Sequence, residues 1–209
     1  MLTVHHLRIS QSERIVWLCE ELGLDYELKL YERRKDNFLA PDDYKVLHPA
    51  GTAPIVTDGA VVLAESGAII DYIVTRHGGG RLVPVADSPD FPGHLFWFHF
   101  ANGGFMPTTM QHWGATRGGV AVPPFVTDRR RRMWDMAEQR LGEANYFGGG
   151  DLTTADIMMG FPLITMRSLT GETVAEHPNI CAWLRRIGER PAFRRAMAKA
   201  EPGMPPNLQ

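Results

Sequence analysis

The chain has 209 residues, of which 44% are hydrophobic and 22% charged, and its formal net charge is -2. This composition is ordinary for a globular protein, and so small a charge argues against a general attraction to nucleic acid or to an anionic membrane. With only two cysteines, Cys19 and Cys181, neither a disulfide framework nor a zinc motif is indicated. The sequence opens without a leader pattern and has no apolar run near the ~18 residues of a membrane span, so a cytoplasmic location is expected.

The first 45 residues alternate between strand and helix patterns. Alternation over 2–6 predicts a short strand. Apolar residues at i, i+3, i+4 and i+7 predict a helix over 15–22, which Gly23 ends. A second strand is predicted over 26–30, and the polar stretch 33–45 predicts an irregular helix.

A hairpin and a helix complete this first region. Asp58-Gly59 lies between the apolar runs 54–57 and 61–63, which is a strong hairpin signal. A helix is predicted from Ser66 and stops at the glycines 78–80. The order β-α-β-(α)-β-β-α, with a parallel crossover followed by an antiparallel hairpin, is typical of the thioredoxin-like α/β fold.

Strand patterns are absent from the rest of the chain. We predict an α/β domain over 1–78, a linker over 79–90 and an all-helical bundle domain over 91–209. The helices predicted in the bundle span 95–113, 127–144, 154–168 and 179–199.

Three conspicuous patterns favour a structural role over a binding or catalytic one. The run Arg129–Arg132 is typical of a solvated helix face rather than a nucleic-acid patch. Thr153 and Asp156 have the spacing of a helix capping box, which is a folding device. His5 and His6 face opposite sides of a strand and therefore cannot easily share a metal ion, so no metal site is expected.

Several segments together resemble the cytosolic glutathione S-transferase family over essentially the whole chain. They are HPAGTAPIV at 48–56, LAESGAI at 63–69 and the capping box at 153–157. The opening 4–14 resembles a serine-type branch of fungi and bacteria that is often called Gtt1-like. The resemblance implies a thioredoxin-like glutathione-binding domain, a helical domain that contributes the electrophile site, and a homodimer.

Two residues at the start of the third helix are expected to hold the γ-glutamyl end of glutathione. Ser66 and the free N–H groups of a helix start suit its carboxylate, whereas Glu65 suits its ammonium group. The resemblance assigns both residues this role. The alternative is that they only cap the helix.

The resemblance also implies a cis peptide bond at Pro54. The backbone of Ala53 would then pair with the cysteinyl part of glutathione. Thr52 would lie near the glycine end, although Lys35 is an alternative for that contact.

The thiol of glutathione needs a hydrogen-bond donor that stabilises its anion. Serine-type members often place the catalytic serine four residues before an arginine, and Ser10 stands four residues before Arg14. Ser12 is the alternative, although it also suits the N-cap of the first helix, and Gln11 is expected to help bind the sulfur. Arg14 is expected to make a structural pairing. The absence of Tyr and Cys from this loop argues against the tyrosine and cysteine types.

The electrophile is expected to bind between the domains against an adaptable apolar wall. For each of the residues chosen, ordinary helix core is the alternative. The predicted lining residues are Ile9, Phe105, Met106, Met110 and Trp113.

The sequence therefore predicts a glutathione transferase active in detoxification, with glutathione as co-substrate, a small hydrophobic electrophile or a peroxide as its target, and no metal. One alternative is a non-catalytic module that binds glutathione, another ligand or a protein. Another is a glutathione-dependent disulfide-bond reductase.

Overall fold

A computed structural model describes residues 1–209 and divides into two compact units. The first unit comprises Met1–Leu82 and Gly188–Pro206, and the second comprises Val83–Ile187 and Asn207–Gln209. The first unit is therefore built from two stretches of chain that are far apart in the sequence.

The first stretch of this unit forms a four-stranded mixed sheet with helices. Its elements are β1 Leu2–Leu7, α1 Glu13–Leu22, β2 Glu27–Tyr31, α2 Asp42–Lys45, β3 Ile55–Asp58, β4 Val61–Ala64 and α3 Ser66–Arg76. The strand order is β2-β1-β3-β4, with β1 parallel to β2 and the other two pairings antiparallel. This arrangement confirms the predicted thioredoxin-like fold. The helix predicted over 33–45 is reduced to the single turn α2.

The hairpin has a slightly different turn from the one predicted. Asp58 pairs with Val61, so Asp58 still belongs to β3 and the two-residue loop is Gly59 and Ala60. Gly59 adopts a φ of 60°, which glycine reaches without steric cost.

The remainder of the chain is helical, as predicted. The helices are α4 Phe91–Phe100, α5 Met106–Arg117, α6 Pro124–Glu143, α7 Thr154–Leu163, α8 Thr165–Thr170, α9 Pro178–Glu189 and α10 Pro191–Ala200. None of them combines the length and apolar character that crossing a bilayer would require.

Three helices that the sequence predicts as continuous are interrupted. A π-helical turn, Ala101–Phe105, joins α4 to α5. Ile164 adopts a non-helical conformation and separates α7 from α8. Pro191 begins α10, because a proline has no N–H with which to continue α9 and restricts the residue before it.

The capping box at the start of α7 is confirmed. The Thr153 hydroxyl accepts a hydrogen bond from the Ala155 N–H at 3.2 Å, and the Asp156 carboxylate accepts one from the Thr153 N–H at 3.0 Å. The other oxygen of Asp156 accepts from the Phe147 N–H at 2.8 Å and from the Trp183 indole at 3.0 Å. Asp156 thus holds the start of α7 against α9.

Three arginines of the run on α6 form ion pairs with acidic residues. Arg131 and Arg132 lie three and four residues after Asp128 and both contact it, and Arg130 pairs with Glu172. These contacts support its interpretation as a structural helix face.

Within the first unit, α10 packs along α1. The ring of Phe193 lies edge-on to Trp17, with centroids 5.1 Å apart, and Arg195 pairs with Glu20 at 2.9 Å. This contact places the residues that follow α10 next to the loop after β1.

Candidate functional site

The loop between β1 and α1 contains both candidate serines. The Ser10 hydroxyl donates to the Leu7 carbonyl at 2.6 Å and lies 2.7 Å from the Ser12 hydroxyl. Ser10 is 6% exposed, whereas Ser12 is completely buried. Of the two hydroxyls, that of Ser10 is therefore the one nearer to solvent.

Ser12 occupies the N-cap position of α1, but its side chain does not cap the helix. Its hydroxyl instead lies 2.8 Å from His6 Nδ1 and accepts a hydrogen bond from the Leu7 N–H at 3.1 Å. The predicted capping role is therefore wrong, because the buried imidazole takes the place of the helix N–H groups as its partner.

Ile9 adopts a left-handed conformation, with a φ of 55°, and both its N–H and its carbonyl are hydrogen-bonded to side chains. Its N–H donates to Glu201 at 2.6 Å, and its carbonyl accepts from Arg33 at 2.9 Å. Such a conformation is unusual for a β-branched residue and persists where surrounding contacts over-determine it. These contacts fix the backbone immediately before Ser10.

Glu201, just beyond α10, is buried among hydrogen-bond donors. It accepts from Ile9, from Arg8 Nε at 3.2 Å, and lies 3.1 Å from His6 Nε2. Burial by itself would raise the pKa of Glu201, but the hydrogen bonds from His6 and the Ile9 N–H hold it below its usual value. Glu201 is thus a carboxylate at neutral pH.

The two histidines of β1 have separate environments. His5 lies 3.0 Å from the Tyr31 hydroxyl and 3.2 Å from the Thr57 hydroxyl, whereas His6 contacts Ser12 and Glu201. The two imidazole rings therefore form hydrogen bonds with different residues.

The start of α3 comes together with the start of α1. Gln11 Oε1 accepts from Arg14 at 2.5 Å and from the Ser66 hydroxyl at 3.3 Å, and Arg14 also contacts Ser66 at 3.3 Å. Glu65 is the N-cap residue of α3, with an exposed carboxylate and a φ of 76°. This conformation is rare for any residue other than glycine.

Arg14 places a positive charge beneath this cluster. It is completely buried, and burial lowers its pKa to about 9 although Glu13 and Glu65 oppose the shift. The guanidinium therefore remains charged at neutral pH. The Glu65 carboxylate caps this helix by accepting from the Gly67 N–H at 3.5 Å. A buried cation beside the Ser66 hydroxyl at the first turn of a helix favours the binding of a carboxylate.

The Ala53–Pro54 peptide bond is cis. Pro54 is buried, Ala53 is half-buried and Thr52 is exposed. Among the basic residues that follow β2, Arg33 is committed to the backbone carbonyls of Arg8, Ile9 and Phe38, whereas Lys35 is exposed.

The predicted electrophile residues are distributed over both units. Ile9 belongs to the first unit and the other four belong to the second. Phe105 is completely buried and packs edge-on against Trp134, with centroids 5.2 Å apart, so its place is in the helical core and not on an accessible wall. Met106 and Trp113 are half-buried and Met110 is exposed.

Cys19 lies within α1 but is not a nucleophile. Burial, and then the charge of Glu20, raise the pKa of its thiol to about 12. A thiol in this state is inert at neutral pH.

No role near the site was predicted for His6 or Glu201, and only a structural pairing was predicted for Arg14. The hydrogen bond between His6 and Glu201 joins residues 195 positions apart, and no local pattern indicates it. For Arg14, which lies in the first turn of α1, the spacing of four from Ser10 was a signal in the sequence.

Comparison with known proteins supports the same assignment. Residues 10–76 match the family described as "Glutathione S-transferase, N-terminal domain" and residues 122–191 match "Glutathione S-transferase, C-terminal domain". Glutathione S-transferase 3 of Schizosaccharomyces pombe is 31% identical over 96% of this chain and 88% of that protein. Glutathione S-transferase 1 of Saccharomyces cerevisiae is 27% identical over 96% and 95%, respectively.

A solved structure is also similar along nearly its full length. The crystal structure of a glutathione S-transferase from Actinobacillus pleuropneumoniae superposes with a TM-score of 0.88 and 32% identity, covering 96% of this chain and 93% of that one. Taken with the sheet order and the residues gathered at the starts of α1 and α3, these similarities show that the chain belongs to the glutathione S-transferase family.

Proposed function

We propose that this protein is a glutathione transferase that binds glutathione in its first unit and uses Ser10 to stabilise the glutathione thiolate. The observation that carries the proposal is the meeting of Gln11, Arg14 and Ser66 directly beside the loop that bears Ser10. These residues form a carboxylate site next to a hydroxyl donor.

The γ-glutamyl end of glutathione matches this cluster. Its carboxylate would accept hydrogen bonds from Ser66 and the first N–H groups of α3, with the charge of Arg14 behind them. Its ammonium group would approach the exposed carboxylate of Glu65. The strained backbone of Glu65 supports this role, because such conformations are often retained at binding sites.

The remaining parts of glutathione are assigned by the same scheme. The backbone of Ala53, beside the cis bond to Pro54, would pair with the cysteinyl residue, and Gln11 would contribute near the sulfur. Thr52 and the exposed Lys35 are our candidates for the glycine carboxylate.

One hydroxyl and one helix end are sufficient to activate the thiol. A free cysteine thiol has a pKa of about 8.5, and lowering it by about two units requires about 2.7 kcal/mol. A hydrogen bond to a charged group contributes about 1.5–3 kcal/mol, and a helix N-terminus adds about 0.3–2 kcal/mol. Ser10 and the start of α1 therefore supply enough stabilisation without a strong base.

The proposal is tested by titrating the thiol of bound glutathione through the ultraviolet absorbance of its thiolate. Ser10→Ala is expected to raise the pKa of the bound thiol by one unit or more, and the exposed Ser168→Ala is the matched control. An unchanged pKa in the Ser10 variant, with glutathione still bound, would show that another group stabilises the sulfur.

Activity assays separate this function from its alternatives. Turnover with an activated aryl halide is expected, whereas binding of glutathione without turnover would indicate a non-catalytic module. Parallel assays with an organic hydroperoxide and a glutathionyl mixed disulfide measure the peroxidase and disulfide-reductase activities that the same thiolate could support.

The family and the surface of the second unit suggest a cellular location, an oligomeric state and a surface for the electrophile. We propose a cytoplasmic homodimer that acts in detoxification, with Met106, Met110 and Trp113 presenting apolar surface to a small electrophile. Both cysteines are free, as a reducing compartment would keep them. Exposed Leu95 and Phe96 on α4 are our candidates for the surface shared with a second copy.

A further inference from the structure

Behind Ser10, four polar side chains form an uninterrupted buried series. Ser10 Oγ lies 2.7 Å from Ser12 Oγ, Ser12 Oγ lies 2.8 Å from His6 Nδ1, and His6 Nε2 lies 3.1 Å from Glu201 Oε1. Ser12 and His6 are completely buried and Glu201 is 1% exposed. Ser10 is thus the end of the series nearest to solvent.

The direction of these hydrogen bonds follows from the carboxylate. Glu201 is ionised and only accepts, so the Nε2 atom of His6 carries a proton and donates to it. In the neutral imidazole the Nδ1 atom is then an acceptor and faces the Ser12 hydroxyl, which donates to it. An ionised partner that fixes the tautomer of a histidine also stabilises its imidazolium form.

We infer that Ser12, His6 and Glu201 form a buried proton relay behind Ser10, in which His6 takes up the proton that the thiol of bound glutathione loses. The inference rests on the proposed function, since it requires the sulfur to lie against Ser10. Ser12 and Glu201 are positioning residues: the first connects Ser10 to the imidazole and the second holds and stabilises it.

The transfer balances without any further reactant. The thiol proton passes to Ser10 Oγ, the proton of Ser10 passes to Ser12 Oγ, and that of Ser12 passes to His6 Nδ1. One S–H bond is replaced by one N–H bond, and each hydroxyl loses one proton and gains another. Ser10 must leave the Leu7 carbonyl, and it ends with its new proton directed at the thiolate.

The charges around His6 are consistent with this transfer. Glu201 is the acid that faces the ring. The neighbouring cations are Arg8, which also pairs with Glu32, and Arg33, whose pKa burial lowers although the charge of Glu201 opposes the shift. Arg8 binds the oxygen of Glu201 that His6 does not contact, and Arg33 binds the Ile9 carbonyl. Ser12 links the ring to Ser10.

If His6 had only a structural role, it would take up no proton, and the thiol proton would be released to the solvent. The number of protons released on glutathione binding therefore tests the relay. Glutathione is titrated into the wild-type protein at about pH 7, below the pKa of the free thiol at about 8.5, by calorimetry in two buffers of different ionisation enthalpy. Thiolate absorbance is recorded in parallel, and S-methylglutathione, which has no thiol proton, gives the baseline. The relay predicts that thiolate appears without net release of a proton.

Release of close to one proton per thiolate formed would overturn the relay while leaving the proposed function intact. Absence of thiolate, or of glutathione binding, would instead refute the proposed function and the relay together. Because this measurement uses the wild-type protein, it does not depend on the folding of any variant.

Variants give an independent readout. His6→Gln and Ser12→Ala are expected to raise the pKa of the bound thiol by about one unit, which is about tenfold less thiolate well below that pKa, with unchanged affinity for S-methylglutathione. His5→Gln is the matched control on the same strand. A folded His6→Gln protein with the wild-type thiol pKa, alongside a shifted Ser10→Ala protein, would contradict the relay.

Discussion

Arg14 Nη1 lies 3.3 Å from the hydroxyl oxygen of Ser66, and both groups contact the same oxygen of Gln11. Residues at the starts of α1 and α3, 52 positions apart, are thereby joined into one polar cluster. The cluster combines a buried charge with a hydroxyl at the first turn of a helix.

Ser66→Ala is therefore expected to weaken glutathione binding by about ten- to a hundredfold, because it removes a hydrogen bond to a charged carboxylate worth about 1.5–3 kcal/mol. Calorimetry with glutathione measures the change. Ser168→Ala, on the exposed face of α8, should bind as the wild type does. Equal affinities for the two variants would place the γ-glutamyl carboxylate elsewhere.

Two substitutions at Glu65 separate its charge from its backbone strain. Glu65→Ala and Glu65→Gly should both weaken glutathione binding, because each removes the carboxylate that would pair with the ammonium group. Only glycine adopts the φ of 76° without steric strain. The free energy of unfolding of the Glu65→Gly protein should therefore be about 1–3 kcal/mol higher than that of the Glu65→Ala protein. Urea denaturation measures this difference, and equal stabilities would show that the conformation carries no strain.

His94 should make the stability of the protein depend on pH. It is buried against Phe98 with its Nδ1 atom unpartnered, and burial, followed by the charge of His99, lowers its pKa to about 4. Because this pKa is below the ordinary value of about 6.5, its contribution is fully present above pH 6.5 and is lost as the pH falls towards 4.

The expected loss from this one group is about 3 kcal/mol, from about 2.5 pKa units at 1.36 kcal/mol each. Urea denaturation between pH 7 and pH 4 should therefore show a shallower decline for His94→Leu than for the wild type. Parallel curves for the two proteins would refute the assignment.

Phe96 should contribute to self-association. Its side chain is 46% exposed on α4 and stacks on the half-buried Phe100, and exposed aromatic surface is typical of an interface. Phe96→Lys is expected to shift a dimer towards monomer in sedimentation experiments. Val120→Lys, at a more exposed apolar position in a loop, should leave the distribution unchanged.

Local patterns predicted most of the fold. The strand alternation of β1, the glycine after α1 and the capping box of Thr153 and Asp156 all depend on residues within a few positions of each other, so the sequence displays them directly. The breaks in the predicted helices also had local signals that the prediction did not use. Gly103 and Gly104 lie in the π-helical turn, and Pro162 and Pro191 lie within predicted helices, where glycine and proline interrupt or end a helix.

The candidate site was predicted less completely. Ser10, Glu65 and Ser66 lie in segments that resemble the family, and they remain predictions that the proposed titration and binding experiments test. The environment of Ser12 could not be foreseen, because its partner His6 is in turn oriented by Glu201 from the far end of the chain. Pairings of this kind depend on tertiary packing rather than on sequence spacing.

The packing of α10 along α1 has a consequence for biosynthesis. On the ribosome, β1 to α3 emerge first, but α10 and Glu201 follow only after the whole intervening helical segment has been made. Until then Trp17 lacks the ring of Phe193 and the Ile9 N–H lacks its carboxylate. The nascent thioredoxin-like region therefore cannot complete its native contacts, and its maturation is delayed until translation has almost ended.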